Sequence, residues 1–119
     1  MSAVKALARA APAIDLSTLR LFVGADDEPA VIDFLGRFFR RLDADMARMR
    51  DTIAQQSWVD ATQIAHQMRS CALAIGAAGF ALLCATFETV AQGFDVCFGA
   101  LERSFNEVRS AVKVVLVGH

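Results

Sequence analysis

His66 and Glu88 are the two residues whose types and spacing suit chemistry. His66 precedes Gly76 by ten residues and Glu88 follows it by twelve, so both are eleven residues from Ala77. If two helices fold back on each other at Gly76–Gly79, a rise of about 1.5 Å per residue places both side chains at one height, roughly 16 Å from the turn. A carboxylate beside a histidine can hold one ring nitrogen and leave the other free.

The helical period predicts that His66 points away from the core of its own helix. At about 100° per residue, the apolar stripe lies opposite His66 and consists of Ala61, Ile64, Met68, Cys71, Ala72 and Ile75. Polar residues share the His66 side: Thr62, Gln63, Arg69 and Ser70. Val59 and Leu73 lie seven residues before and after His66. A single helical histidine can be an ordinary solvated residue, but flanking apolar residues are typical of a docking patch.

The stretch around His66 resembles the signature of histidine-containing phosphotransfer (HPt) domains. That signature is roughly Ala-His-x-Leu-Lys-Gly, a run of small residues, Gly-Ala, and later Leu-x-x-Cys followed by an acidic or amide residue. The matching segments here are Ala65–Ser70, Gly76-Ala77, Leu83-Cys84 and Phe87-Glu88. The resemblance extends more weakly over about residues 15 to 115.

The resemblance implies a phosphorelay protein of two-component signalling. His66 would accept a phosphoryl group on Nε2 from the aspartate of a receiver domain, often in a hybrid sensor kinase. It would pass the group to the aspartate of a response regulator. Such a phosphoprotein is a phosphocarrier without an ATP site rather than an enzyme. Any Mg²⁺ would belong to the receiver domain, and the protein itself is expected to need no cofactor or metal.

The resemblance also assigns roles to the residues near His66. Glu88 would orient His66 by accepting a hydrogen bond from Nδ1–H, and Arg69 would contact the phosphoryl oxygens, because charge-assisted hydrogen bonds are strong. Gln67 would flank the site, and Ser70 would leave room for the partner. The expected partner-binding residues are Val59, Thr62, Gln63 and Leu73, with Phe34 and Phe38 completing the docking surface.

Two positions depart from the family pattern. Arg69 stands where the family usually has lysine, and Ser70 stands where it usually has glycine. Arginine keeps the positive charge, but as a planar fork rather than a point charge. Serine is still small, and it suits a helix interior better than glycine. These departures are expected to alter partner choice or the lifetime of the phosphorylated state, and they leave the phosphoacceptor in place.

Apolar repeats at three- and four-residue steps predict five helices. The first helix is expected at Ile14–Gly24 and the second at about 28–56. The third is expected to begin after the cap Ser57 and to end near Gly76. The fourth is expected at about 79–92, and the fifth from Asp95 to about Val117. The expected caps are Asp15 or Ser17 for the first helix and Asp27 for the second, with Ser57 and Asp60 forming a capping box. The expected core stripe of the first helix is Leu16, Leu19, Phe22 and Val23. Arginines and aspartates alternate along the second helix, and this pattern indicates an ordinary solvated face.

Together these elements predict an all-α antiparallel four-helix bundle with a short extra N-terminal helix. The domain would span residues 14–117, after a flexible lead-in at 1–13, and it would be monomeric. The apolar run VKVVLV near the end would pack over the open end of the bundle or against a second copy. His119 would be a disordered surface residue.

Composition narrows the class of protein. The chain has 119 residues, 55% of them hydrophobic and 21% charged, which suits one well-filled domain. A net charge of −1 gives no electrostatic case for nucleic-acid binding. Three cysteines without a disulfide pattern, and no segment predicted to span a membrane, favour reduced thiols in a cytoplasmic protein.

Two other functions remain open from the residues alone. The chain could be a helical interaction module that binds a receiver domain or a partner helix without carrying phosphate. It could also be a metal- or haem-binding bundle, since histidine, methionine and cysteine lie in its helices. The second option requires several ligands that point inward together, whereas His66 is predicted to point outward.

Overall fold

The structure is a computed structural model that describes residues 13–24, 27–90 and 93–118. Within these ranges the chain forms five helices. They are α1 (Ser17–Val23), α2 (Glu28–Ala54), α3 (Trp58–Ala74), α4 (Ala78–Thr89) and α5 (Phe94–Val117). The described ranges contain no β-strand. The predicted lead-in at residues 1–13, apart from Ala13, and terminal His119 lie outside these ranges.

The four long helices form a closed ring. Contacts join α2 to α3, α3 to α4, α4 to α5 and α5 to α2, while α1 packs on α2. Because the connections between successive long helices are short, neighbouring helices run antiparallel. The predicted all-α four-helix bundle with a short extra N-terminal helix is confirmed.

Apolar side chains from all four long helices fill the space inside the ring. Buried residues recur at the helical period on each inward face, as expected of amphipathic helices. Small residues are buried in the two helices, and residues of this size let packed backbones approach closely: Ala65 and Ala72 in α3, Ala77 at the N-cap of α4 and Ala81 within it. This close approach brings the outward flanks of α3 and α4 within reach of each other.

The turn between α3 and α4 requires a glycine at position 76. Gly76 has φ of +69°, and a Cβ placed there would collide with the backbone of Asp15. The Asp15 amide donates a hydrogen bond to the carbonyl oxygen of Ile75 at 3.2 Å. The segment that precedes α1 is therefore held against the turn that sets the α3–α4 geometry.

The predicted helix caps are only partly correct. Asp27 caps α2, since its Oδ1 accepts a hydrogen bond from the Ala30 amide at 3.1 Å. Ser57 is the N-cap residue of α3, but its side chain makes no capping bond, so the predicted capping box with Asp60 is wrong. Asp27 and Ser57 have similar backbone angles, with ψ of 72° and 74°. The difference between the two caps therefore lies in the side chains and not in the backbone.

The first helix differs from its predicted packing. Leu16 is its N-cap residue and no side chain caps the helix, so the predicted caps Asp15 and Ser17 are wrong. Asp15 Oδ1 instead accepts hydrogen bonds from the Ser17 amide at 3.0 Å and the Ser17 hydroxyl at 2.7 Å. Phe22, predicted to be a core residue, is 80% exposed. The helix has only seven residues, and it buries the narrow stripe around Leu19.

Two helix ends also differ from their predictions. The second helix ends at Ala54 because Gln56 adopts a left-handed conformation with φ of 60°. The fourth helix ends at Thr89, and Val90 is already extended, with ψ of 143°. Gly93, which follows the predicted end at about residue 92, is the left-handed N-cap residue of α5. No helix in the described ranges is both long enough and apolar enough to cross a membrane.

Candidate functional site

The structure brings His66 and Glu88 together on adjacent helices. Nδ1 of His66 lies 2.8 Å from Oε1 of Glu88. The His66 side chain is 62% exposed, whereas that of Glu88 is 18% exposed. A carboxylate only accepts hydrogen bonds, so this contact requires the proton of a neutral imidazole to be on Nδ1. The lone pair of Nε2 is then free to act as a nucleophile.

Arg69 lies on the Glu88 side of the imidazole. Its Nη1 is 3.6 Å from Glu88 Oε2, and its Nη2 is 3.5 Å from Nδ1 of His66. Glu88 Oε2 is buried and makes no hydrogen bond, so the guanidinium is the positive charge that compensates it. The predicted contact of Arg69 with phosphoryl oxygens stays a prediction, and it would require the guanidinium to turn away from Glu88.

Cys84 lies one helical turn before Glu88 on α4. Burial and, to a smaller extent, the charge of Glu88 raise the pKa of the Cys84 thiol to about 12, against the opposing effect of Arg69. The thiol is therefore protonated near neutral pH and unsuited to act as a nucleophile. On this side of α3, His66 is therefore the better candidate nucleophile.

A surface depression lies on the other side of His66, between α2 and α3. Its lining residues are Phe38, Arg41, His66, Gln67, Ser70 and Cys71. The Cys71 thiol donates a hydrogen bond to the Phe38 carbonyl oxygen at 3.4 Å. Phe34 stacks on Phe38 with ring centroids 6.2 Å apart, which places both predicted docking aromatics beside this depression.

A second depression lies toward α4, lined by Thr62, Gln63, His66, Gln67 and Glu88. The Thr62 hydroxyl donates to the carbonyl oxygen of Trp58 at 2.8 Å, so this group is satisfied within its own helix. Val59 and Leu73 are 73% and 52% exposed on the same helix. The two depressions share His66 and Gln67, whereas Val59, Leu73, Phe34 and Arg69 line neither of them.

Arg41 is the residue at this surface that the sequence reasoning missed. Its position in an alternating run of arginines and aspartates indicated only a solvated face. Its place beside His66 depends on how α2 and α3 align, and the helical period of α2 alone carries no signal for that alignment. The described residues contain no group of three or more histidine, cysteine, aspartate and glutamate residues that could hold a metal ion.

Comparison with known proteins assigns the family. The Hpt domain model matches residues 33–115, which is more than half of the chain. The chain therefore belongs to the Hpt domain family. Hpt domains are phosphocarrier modules of two-component signalling that interact with receiver domains of response regulators or kinases. Comparisons with curated proteins and with solved structures gave no significant match.

Proposed function

We propose that this protein relays a phosphoryl group between receiver-domain aspartates through Nε2 of His66. The observation that carries the proposal is the 2.8 Å contact between Glu88 Oε1 and Nδ1 of an exposed histidine, in a chain of the Hpt domain family. This contact holds one ring nitrogen and directs the other to the surface. The group would come from a receiver domain of a sensor kinase and pass to a response regulator.

The transfer step needs no base at Nε2. The Nε2 lone pair attacks the phosphorus of an aspartyl phosphate, forming an N–P bond as the P–O bond breaks. The electron pair of the broken bond stays on the aspartate carboxylate. The imidazole keeps its proton on Nδ1 and gains positive charge, which the Glu88 carboxylate stabilises at 2.8 Å. Transfer to the next aspartate reverses these bond changes.

The receiver domain supplies most of the remaining catalytic machinery in this proposal. The His66 surface is open, and an exposed helix face provides little preorganised stabilisation of the transferring group. Mg²⁺ held by the receiver would neutralise the phosphoryl oxygens, as in other phosphoryl transfers. Gln67 and Ser70 would border the group, and the docking residues would be Val59, Thr62, Gln63, Leu73, Phe34 and Phe38.

A phosphotransfer assay tests the proposal. Purified protein is mixed with a phosphorylated receiver domain, and acid-labile, base-stable phosphate is then mapped. Label is expected on His66 and is expected to be lost in His66→Gln, with helical content unchanged by circular dichroism. Stable label in that variant would show that another residue carries the group. Binding without label, across several receivers, would favour the non-phosphorylated interaction module.

A further inference from the structure

We propose that Arg41 of α2 binds the phosphoryl group while Nε2 of His66 carries it. The proposal rests on the phosphotransfer function above and adds a specific phosphate-binding residue to it. The structure provides three supports: the direction in which Nε2 points, the position of Arg41 along α2, and the ion pairs that occupy the neighbouring charges.

The first support is the orientation of the imidazole. The two ring nitrogens point in roughly opposite directions, and Glu88 of α4 holds Nδ1 at 2.8 Å. Nε2 therefore points away from α4. Because α3 contacts α4 on one flank and α2 on the other, the flank away from α4 is the α2 side. A phosphoryl group on Nε2 would lie at the mouth of the depression between α2 and α3.

The second support is the alignment of α2 with α3. The 3.4 Å bond from the Cys71 thiol to the Phe38 carbonyl places these two residues side by side. Arg41 lies three residues beyond Phe38, a rise of about 4.5 Å. Since the helices are antiparallel, this step runs along α3 from Cys71 toward His66. Arg41 and His66 accordingly line the same depression.

The third support is the state of the surrounding charges. Arg69 faces Glu88, with 3.6 Å between Nη1 and Oε2. The nearest acidic residue on the same face of α2 as Arg41 is Asp45, which is buried and paired with Arg48 Nη1 at 3.1 Å. Within the described residues, no carboxylate lies within ion-pair distance of Arg41, which is exposed. Its guanidinium is available to an incoming anion.

The chemistry of the guanidinium suits this role. Its planar fork can donate two parallel hydrogen bonds to phosphoryl oxygens. Such hydrogen bonds between charged groups are stronger than those between neutral groups. Arg41 would contribute this stabilisation from α2, while Arg69 continues to compensate the second oxygen of Glu88. The positive charge that the family usually supplies from α3 would then be divided between two helices.

The chain provides a matched control for testing Arg41. Arg40 is its neighbour on α2, is also exposed, and does not line the depression beside His66. Arg41→Gln and Arg40→Gln remove the same charge from adjacent positions of one helix. Arg41→Lys keeps the charge and removes the fork.

The experiment uses two phosphodonors with the full chain. Phosphoramidate labels histidine without a receiver domain, and a phosphorylated receiver labels it through docking. Arg41→Gln is expected to slow labelling by both donors about ten-fold, the loss expected from removing a hydrogen bond to a charged group. Arg40→Gln is expected to stay within about two-fold of the wild type, and Arg41→Lys is expected to recover part of the rate.

A phosphorus NMR titration gives a readout that a purely structural role would not change. A cation beside the phosphoryl group favours its doubly ionised form, so the titration midpoint of phosphorylated Arg41→Gln is expected to move to higher pH. Equal rates and midpoints for Arg41→Gln and Arg40→Gln would overturn the proposal. A loss seen only with the receiver would also overturn it, since Arg41 would then act in docking. No labelling of the wild-type protein by either donor would instead refute the proposed function.

Discussion

The two sides of α3 contain similar sets of residues but differ in the group that pairs with the carboxylate. Each set has a buried cysteine, a carboxylate and an arginine: Cys84, Glu88 and Arg69 toward α4, and Cys71, Asp45 and Arg41 toward α2. On both sides burial raises the pKa of the thiol, the carboxylate raises it further, and the arginine opposes them. Both carboxylates also have one buried oxygen without a hydrogen bond.

The difference lies in the group that pairs with the other oxygen. Asp45 Oδ1 lies 3.1 Å from Nη1 of Arg48, whose charge is permanent. Glu88 Oε1 lies 2.8 Å from Nδ1 of His66, an imidazole that would gain charge as the N–P bond forms in the proposed transfer. A buried carboxylate therefore does not by itself mark the functional site in this bundle. The distinguishing feature is a partner whose charge would change during the proposed phosphotransfer.

The largest expected effect is the difference in phosphotransfer rate between a variant that lacks Glu88 and one that lacks Asp45. Glu88→Ala is expected to slow phosphotransfer about ten-fold without abolishing it, because it removes one hydrogen bond to a charged group. Asp45→Ala is expected to leave the rate within about two-fold. Single-turnover transfer from a phosphorylated receiver measures both. Equal losses in the two variants would refute the functional distinction between the carboxylates.

A second expected effect concerns the free energy of unfolding, to which the Asp45 carboxylate is expected to contribute unfavourably. Asp45 is 4% exposed, and its Oδ2 is buried without a partner, whereas most of the Arg48 side chain is solvated. Asp45→Ala removes a costly buried charge and places a better helix former in α2, so we expect stabilisation of about 1 kcal/mol. Urea unfolding measures the change. A loss of about 1 kcal/mol or more would show that the pair with Arg48 outweighs the desolvation cost.

The pKa of each cysteine thiol depends on the charge of the neighbouring carboxylate. Glu88→Gln removes a charge that raises the pKa of Cys84, so alkylation of Cys84 is expected to begin at lower pH than in the wild type. Asp45→Asn is expected to do the same for Cys71. Mass spectrometry of alkylated peptides across a pH series resolves the two thiols. A change at both cysteines in one variant would indicate general loosening of the bundle instead.

A further expected effect, confined to alkaline pH, is a loss of stability as the pH rises. The pKa of Cys84 is about 12 in the folded protein, above its ordinary value of 9.0. A raised pKa means that the folded state retains a proton that the unfolded chain releases. This contribution to stability is complete below about pH 9 and is lost as the pH rises toward about 12. Cys84→Ala is expected to show a shallower alkaline decline in urea unfolding, while a decline equal to that of the wild type would contradict this assignment.

The sequence predicts those parts of the site that depend on local geometry. The equal heights of His66 and Glu88 follow from residue counts on both sides of one short turn, and the outward direction of His66 follows from the helical period. The pairing of Arg69 with Glu88 depends on a choice of side-chain rotamer, which residue spacing does not determine. The position of Arg41 depends on the packing of α2 against α3, a contact between different elements. The same limit applies to Phe22, whose exposure depends on how α1 lies on α2.

The helical hairpin that carries the site has a consequence for the order of folding. His66 and Glu88 are separated by 22 residues, and one turn closes the segment between them. The entropy cost of closing so short a segment is modest, and contacts between residues near in sequence generally form early. We therefore expect α3 and α4 to pair, and their two side chains to meet, before α5 closes the ring. The phosphoacceptor geometry would then belong to an early folding unit of the domain.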